Sequence, residues 1–292
     1  MLFTMASRNL RSGPELWCGL HWRTERRSSH GWGPSDGAPA DGGAAGQAPE
    51  GGGSIAFPTG GAGGSAALVD VDVTITADNA YSFGYGDAGG IVHFTQGTRA
   101  EFAAQIFNCG EGPEAYVVPA ADAPPGAYLY IVAWDDLFVT QGVLGQFRRG
   151  DGTPLYTGQA EFEVCATGVD LQDSQTGPGQ ADINAQVAIC NSGSGDPSAT
   201  SKGWVNAAGA VTAGALGTLA IGEANSAGDG NFPPVCPTET SPPDVPTIDG
   251  AAQWMWYQPG GIGNPFQSTG SNIFKAYLIF RVAAQDIPPP PR

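Results

Sequence analysis

From Leu68 the chain alternates, with Val69, Val71, Val73 and Ile75 on one face and Asp70, Asp72, Thr74 and Thr76 on the other. Successive side chains of a strand point to opposite faces, so this period of two predicts a half-buried β-strand. Asp78-Asn79 offers a turn, after which Tyr81, Phe83 and Tyr85 resume the period, so the pair reads as two strands or as one strand with a bulge. Further strands are expected at 91–94, 115–118, 127–134, 143–147, 160–165, 183–189, 217–221, 253–257 and 276–282. In the last of these, Leu278, Phe280 and Val282 are assigned to the core, and Tyr277 and Arg281 to the opposite face. That strand is expected to be central and to close the fold beside residues 71–76 or their neighbour. The one helical candidate is Arg99 to Phe107, where Phe102, Ile106 and Phe107 share a face. Short strands divided by Gly, Pro and Asp turns predict an all-β protein, a β-sandwich or jelly roll spanning about 66–285. Stretches 168–179 and 191–202 read as long loops, and 231–246, with six prolines, as an extended crossover. Pro288 to Pro291 read as a solvated polyproline tail over 286–292.

The rhythm is missing before residue 66. Residues 1–30 carry five arginines against two glutamates, a balance of +3 that leaves the other 262 residues at −19, since the whole chain is −16. They lack the apolar stretch of a secretory signal, and the glycine runs of 31–65 bury too little to offset ordering entropy. Residues 1–65 are therefore expected to be a disordered or non-native extension. The acidic balance repels polyanions, which sets nucleic acid aside as a partner. No run approaches the apolar length of a transmembrane helix. An extracellular or cell-surface setting is the expectation, although no signal is visible.

Candidate chemistry is sparse. Gly84 to Gly89 fits G-x-G-x-x-G, but an alternating strand precedes it and a strand-like Ile91-Val92-His93-Phe94 follows, so it reads as a hairpin turn rather than a cofactor site. His93 is the one histidine beyond residue 30 and reads as a surface or hydrogen-bonded strand residue. No G-x-S-x-G and no C-x-x-C occurs, and zinc lacks locally paired ligands. Asp135 and Asp136, as neighbouring strand residues, point to opposite faces, Glu161 and Glu163 share one face, and both pairs read as solvated edges of an acidic protein. No catalytic residue and no cofactor is assigned. A structural calcium is the cation the composition suits, with Asp78, Asn79 and Asp87 as ligand candidates beside other loop acids. Cys109, Cys165, Cys190 and Cys236 allow two disulfides or four reduced thiols. Cys165 and Cys190 are expected as neighbours ending two paired strands, with Cys236 partnering Cys109 or Cys190.

Aromatic rings near strand ends can stack on the apolar faces of sugars while adjacent polar groups bind hydroxyls. Tyr85, Trp134, Asp136, Trp204 and Trp256 are accordingly the candidate ligand-binding residues. Two fragments carry a resemblance. Val73 to Gly86, "VTITADNAYSFGYG", resembles the strand-turn-strand of galactose-binding-like jelly rolls, such as the accessory domains of rhamnosidases. Ala252 to Tyr257 with Tyr277 to Val282, "AQWMWY…YLIFRV", resembles two further strands of the same domains. The chain departs from the pattern in lacking an Asn-Gly after Tyr81 and in placing the second element last, an order that circular permutation would produce. The resemblance implies non-catalytic glycan recognition, and it makes Asp78 the expected partner of Arg281. The same superfold also serves structural roles, so the alternative is an oligomeric assembly subunit of an extracellular or phage-like particle, with a glycoside hydrolase ranked third.

Overall fold

A computed structural model describes residues 69–291, apart from 97–99, 101–103, 110–111, 135–138, 172–175, 196–200, 228–229, 239, 262 and 269–275. The expected N-terminal extension, Phe102 of the helical candidate, and Asp135-Asp136 lie outside the described residues. The strands are β1 (Val71–Asp78), β2 (Ala80–Asp87), β3 (Gly90–Gln96), β4 (Glu114–Val118), β5 (Ala127–Trp134), β6 (Gly142–Arg149), β7 (Leu155–Tyr156), β8 (Glu163–Asp170), β9 (Val205–Asn206), β10 (Gly209–Ala210), β11 (Thr218–Ala224), β12 (Gln253–Gln258) and β13 (Ala276–Ala283). Two helices accompany them: a single turn α1 (Ala104–Phe107), and α2 (Gln180–Ser192).

The strands form two antiparallel sheets, and the protein is an all-β sandwich. One sheet runs β11-β12-β6-β1-β4, with β7 on β6; the other runs β10-β9-β8-β13-β5-β2-β3. The Asp78-Asn79 turn therefore carries the chain from one sheet to the other, because β1 and β2 belong to different sheets. The alternation at β1 does what it predicts: Val71, Val73, Ile75 and Ala77 enter the inter-sheet core with Phe83, Leu129, Ile131, Leu278, Phe280 and Val282 of the facing sheet. The hairpin reading of Gly84 to Gly89 also holds, since β2 pairs with β3 across Ala88-Gly89.

The outer face of the second sheet carries a further core. Tyr130, Val132, Trp134, Cys165, Tyr277 and Ile279 pack there against Ile183, Val187 and Cys190 of α2. Residues 183–189 are thus helical, not a strand. Ile183, Val187 and Cys190 recur at steps of four and three, one stripe of a helix, and Gly193 ends it with a left-handed φ of 66°. Strands β5 and β13 are covered on both sides, which accounts for their unbroken apolar runs.

β13 is central, but its neighbours are β5 and β8 rather than β1 or β2. Register places Arg281 opposite Glu163, and that residue, not Asp78, is its carboxylate partner, with Nη2 to Oε2 at 2.7 Å. The guanidinium also lies 3.8 Å from the centre of the Trp204 ring and donates to Asn191 Oδ1 at 3.1 Å. Cys165 and Cys190 are bonded, with Cα atoms 6.1 Å apart, joining a strand to a helix rather than two strands. Cys109 and Cys236 form the second disulfide, Cα to Cα 5.1 Å, and tie the proline-rich crossover to the segment after α1. The packed chain runs past residue 285, since Ile287 is buried in the main core.

Candidate functional site

Where the inter-sheet core ends beside β3, a cleft of about 370 Å³ opens. Three segments build it. Tyr85, Gly86 and Asp87 come from the end of β2, Val92 and His93 from β3, and Ala121, Asp122 and Pro124 to Gly126, with Ala127 at the start of β5, from the segment that leads into that strand. Tyr85 continues the alternating face of Tyr81 and Phe83, so the period that fills the core delivers it to the rim. His93 is its cross-strand partner, and the two rings stack with centroids 4.7 Å apart. Directly opposed residues of an antiparallel pair interact in this way, and the contact fixes both rings.

The third wall is held rigidly. Asp70 accepts the Ala120 N–H at 2.7 Å. The buried Arg149 donates to the carbonyls of Val69, Ala123 and Ala284 at 2.8–3.0 Å. Pro124 to Ala127 close a turn with Gly126 at φ 91°, a conformation that suits glycine after Pro125. This wall brings the Asp122 carboxylate to 3.9 Å from His93 Nε2. Burial and the nearby Asp122 charge raise the Tyr85 hydroxyl above its usual pKa. Asp87 accepts the Gly89 N–H at 2.7 Å, and its carbonyl takes the hydroxyl of Tyr130. The result is a flat aromatic pair flanked by two carboxylates, a lining suited to stacking and to accepting hydrogen bonds from a small polar molecule.

Of the ligand-binding candidates that lie among the described residues, Tyr85 is the one that lines this cleft. Trp134, Trp204 and Trp256 are 2%, 1% and 0% exposed, which removes them as surface platforms. Trp134 lies under α2 and the loop before it, Trp204 is stacked by Arg281, and Trp256 packs beside Phe280. Trp254, Met255 and Tyr257 are equally buried. Asp136 is outside the described residues. The calcium candidates do not converge: Asp78 is buried and accepts the Thr140 hydroxyl, whereas Asp87 caps a turn at the cleft. Among the described residues no group of three or more His, Cys, Asp or Glu is placed to hold a metal ion. Asp122 and the Pro124 to Gly126 turn escaped the sequence reading. Their one signal is the Pro-Pro-Gly tripeptide, which marks a stiff turn but not what it faces. No helix among the described residues is long and apolar enough to cross a membrane. Compared with known proteins, the chain matches no family model, and no curated protein and no solved structure is significantly similar to it.

Proposed function

We propose that this sandwich is a non-catalytic recognition module that binds carbohydrate in the cleft at Tyr85 and His93. The observation that carries the reading is the stacked Tyr85–His93 pair at an open cleft, with Asp87 and Asp122 at hand to accept hydroxyl protons. A sugar ring presents C–H faces to aromatic surfaces and hydroxyls at its edge, and this lining offers both partners. The galactose-binding-like resemblance points the same way, and two disulfides suit a protein that folds in an oxidising compartment.

A glycan array identifies the sugar, and calorimetric titration of that sugar against the wild type and Tyr85→Ala tests the site. The expected result is a loss of roughly tenfold or more in affinity, equivalent to about 1.4 kcal/mol. Unchanged affinity in Tyr85→Ala would move the site elsewhere, and an array without a hit would remove the carbohydrate reading.

A second reading, an assembly subunit, draws on an exposed apolar residue at a sheet edge: Val117 on β4 is 59% exposed. An edge strand with apolar side chains invites pairing between copies. Sedimentation equilibrium separates the readings, because assembly requires a solution mass well above 29.8 kDa.

A further inference from the structure

The lining of the cleft carries ionisable groups as well as rings. Among the described residues its ionisable lining consists of Asp87, Asp122, His93 and Tyr85, with no Lys or Arg. Asp87 uses one oxygen on the Gly89 N–H. Asp122 sits beyond hydrogen-bond distance from His93, and its side chain is about one third exposed, so the carboxylate faces the cleft half-solvated. The background field has the same sign, since the chain carries a formal charge of −16. An acidic sugar, a uronate or a sulfate ester, would meet repulsion from both carboxylates. A neutral sugar would stack and hydrogen-bond but leave both charges unmatched. A sugar bearing a protonated amine would add an ion pair, and its cationic edge would be drawn to the face of an aromatic ring.

We infer that the cleft takes a cationic amino sugar, with the Tyr85–His93 pair against the ring and Asp122 accepting from the ammonium group. This rests on the carbohydrate reading above and narrows it from sugars in general to those with a free amine. The cleft and its stacked pair make the site, and the carboxylates decide the ligand's charge.

The probes are a short glucosamine oligosaccharide with free amines and the same oligosaccharide fully N-acetylated, compared by calorimetric titration at low salt and at a pH where the amine is protonated. The expected result is roughly tenfold tighter binding of the free-amine form, an advantage of about 1.4 kcal/mol. It should be largely lost in Asp122→Asn and kept in Asp151→Asn, a control that removes an equal charge from the turn between β6 and β7. High salt should narrow the advantage as screening grows. Equal loss in both variants would mean attraction to the acidic surface at large and would overturn the inference. Equal or tighter binding of the N-acetylated form, weakened by Tyr85→Ala, would overturn it while leaving the carbohydrate reading intact. Binding of neither form, with an array empty of hits, would remove both.

Discussion

At Arg281 one side chain meets an acid, an amide and two aromatic rings: Glu163, Asn191, Trp204 and Tyr128. Nearly all of its side chain is covered, so losing the guanidinium leaves Glu163 without its partner in a partly dry site. Arg281→Met is predicted to cost about 2–3 kcal/mol, less than the loss of a fully buried pair because Glu163 keeps some contact with water. Urea denaturation measures this, and a midpoint within error of the wild type would contradict it. Phe280, one residue earlier, points the other way into the inter-sheet core, and Phe280→Ala is predicted to cost about 3–5 kcal/mol through the cavity it leaves. A loss below about 1 kcal/mol would show that the site collapses around the gap. The opposite facing of these two neighbours was legible in the alternation of Tyr277 to Val282. The partner of Arg281 was not, because Glu163 lies 118 positions away and only the β13–β8 register brings it opposite.

Most strands were legible because period two and turn residues are local signals. Helix α2 was hidden, since Ile183, Val187 and Ile189 read as β-branched strand formers when the four-residue step to Val187 is overlooked. Read as a strand, residues 183–189 leave one sheet face without the cover that α2 gives it, while proximity to strand ends says nothing of the burial of Trp134 and Trp204. With α2 in place, Trp134 is sealed so closely that Gly177 has no room for a side-chain carbon beside the ring. The helix also guards an edge. Asn184 accepts the Ile91 N–H at 2.7 Å and donates to the Ile91 carbonyl at 2.9 Å, acting as a one-residue strand along β3. Asn184→Leu is predicted to cost about 1–3 kcal/mol, the penalty for stranding backbone groups, and to speed amide exchange at Ile91. Unchanged protection at that amide would contradict this, since Gln180 donates to the carbonyls of Ile91 and Val92 and leaves the Ile91 N–H to Asn184.

Taken whole, the sandwich is stapled at two places and is set to fail at alkaline pH. The disulfides close loops of 25 and 127 residues, for which the chain-entropy relation gives about 3.5 and about 5 kcal/mol. Their sum is comparable to the whole stability of an ordinary domain, about 5–15 kcal/mol, so reduction is predicted to unfold the protein or to lower its melting temperature by tens of degrees. A small shift on reduction would contradict this. Burial holds the Tyr257 hydroxyl up to about 12 and raises those of Tyr81, Tyr116, Tyr130 and Tyr277 as well. Unfolded tyrosines lose their protons near pH 10, while these keep theirs, so the native state binds more protons and stability must fall as pH rises beyond about 10. Urea midpoints on either side of that pH test the sign, and a flat profile would refute it. The cleft was half legible: Tyr85 stood out as an aromatic at a strand end, whereas Asp122 and the turn behind it reach the site only through the packing of two sheets. The central claim is that a sugar binds between the Tyr85–His93 pair and Asp122. The most direct measurement is a map of backbone and His93 ring chemical shifts as the array-selected sugar is titrated in. The largest shifts should gather at residues 85–87, 92–93 and 121–127 and saturate together; saturable shifts centred anywhere else on the protein would contradict binding at this cleft.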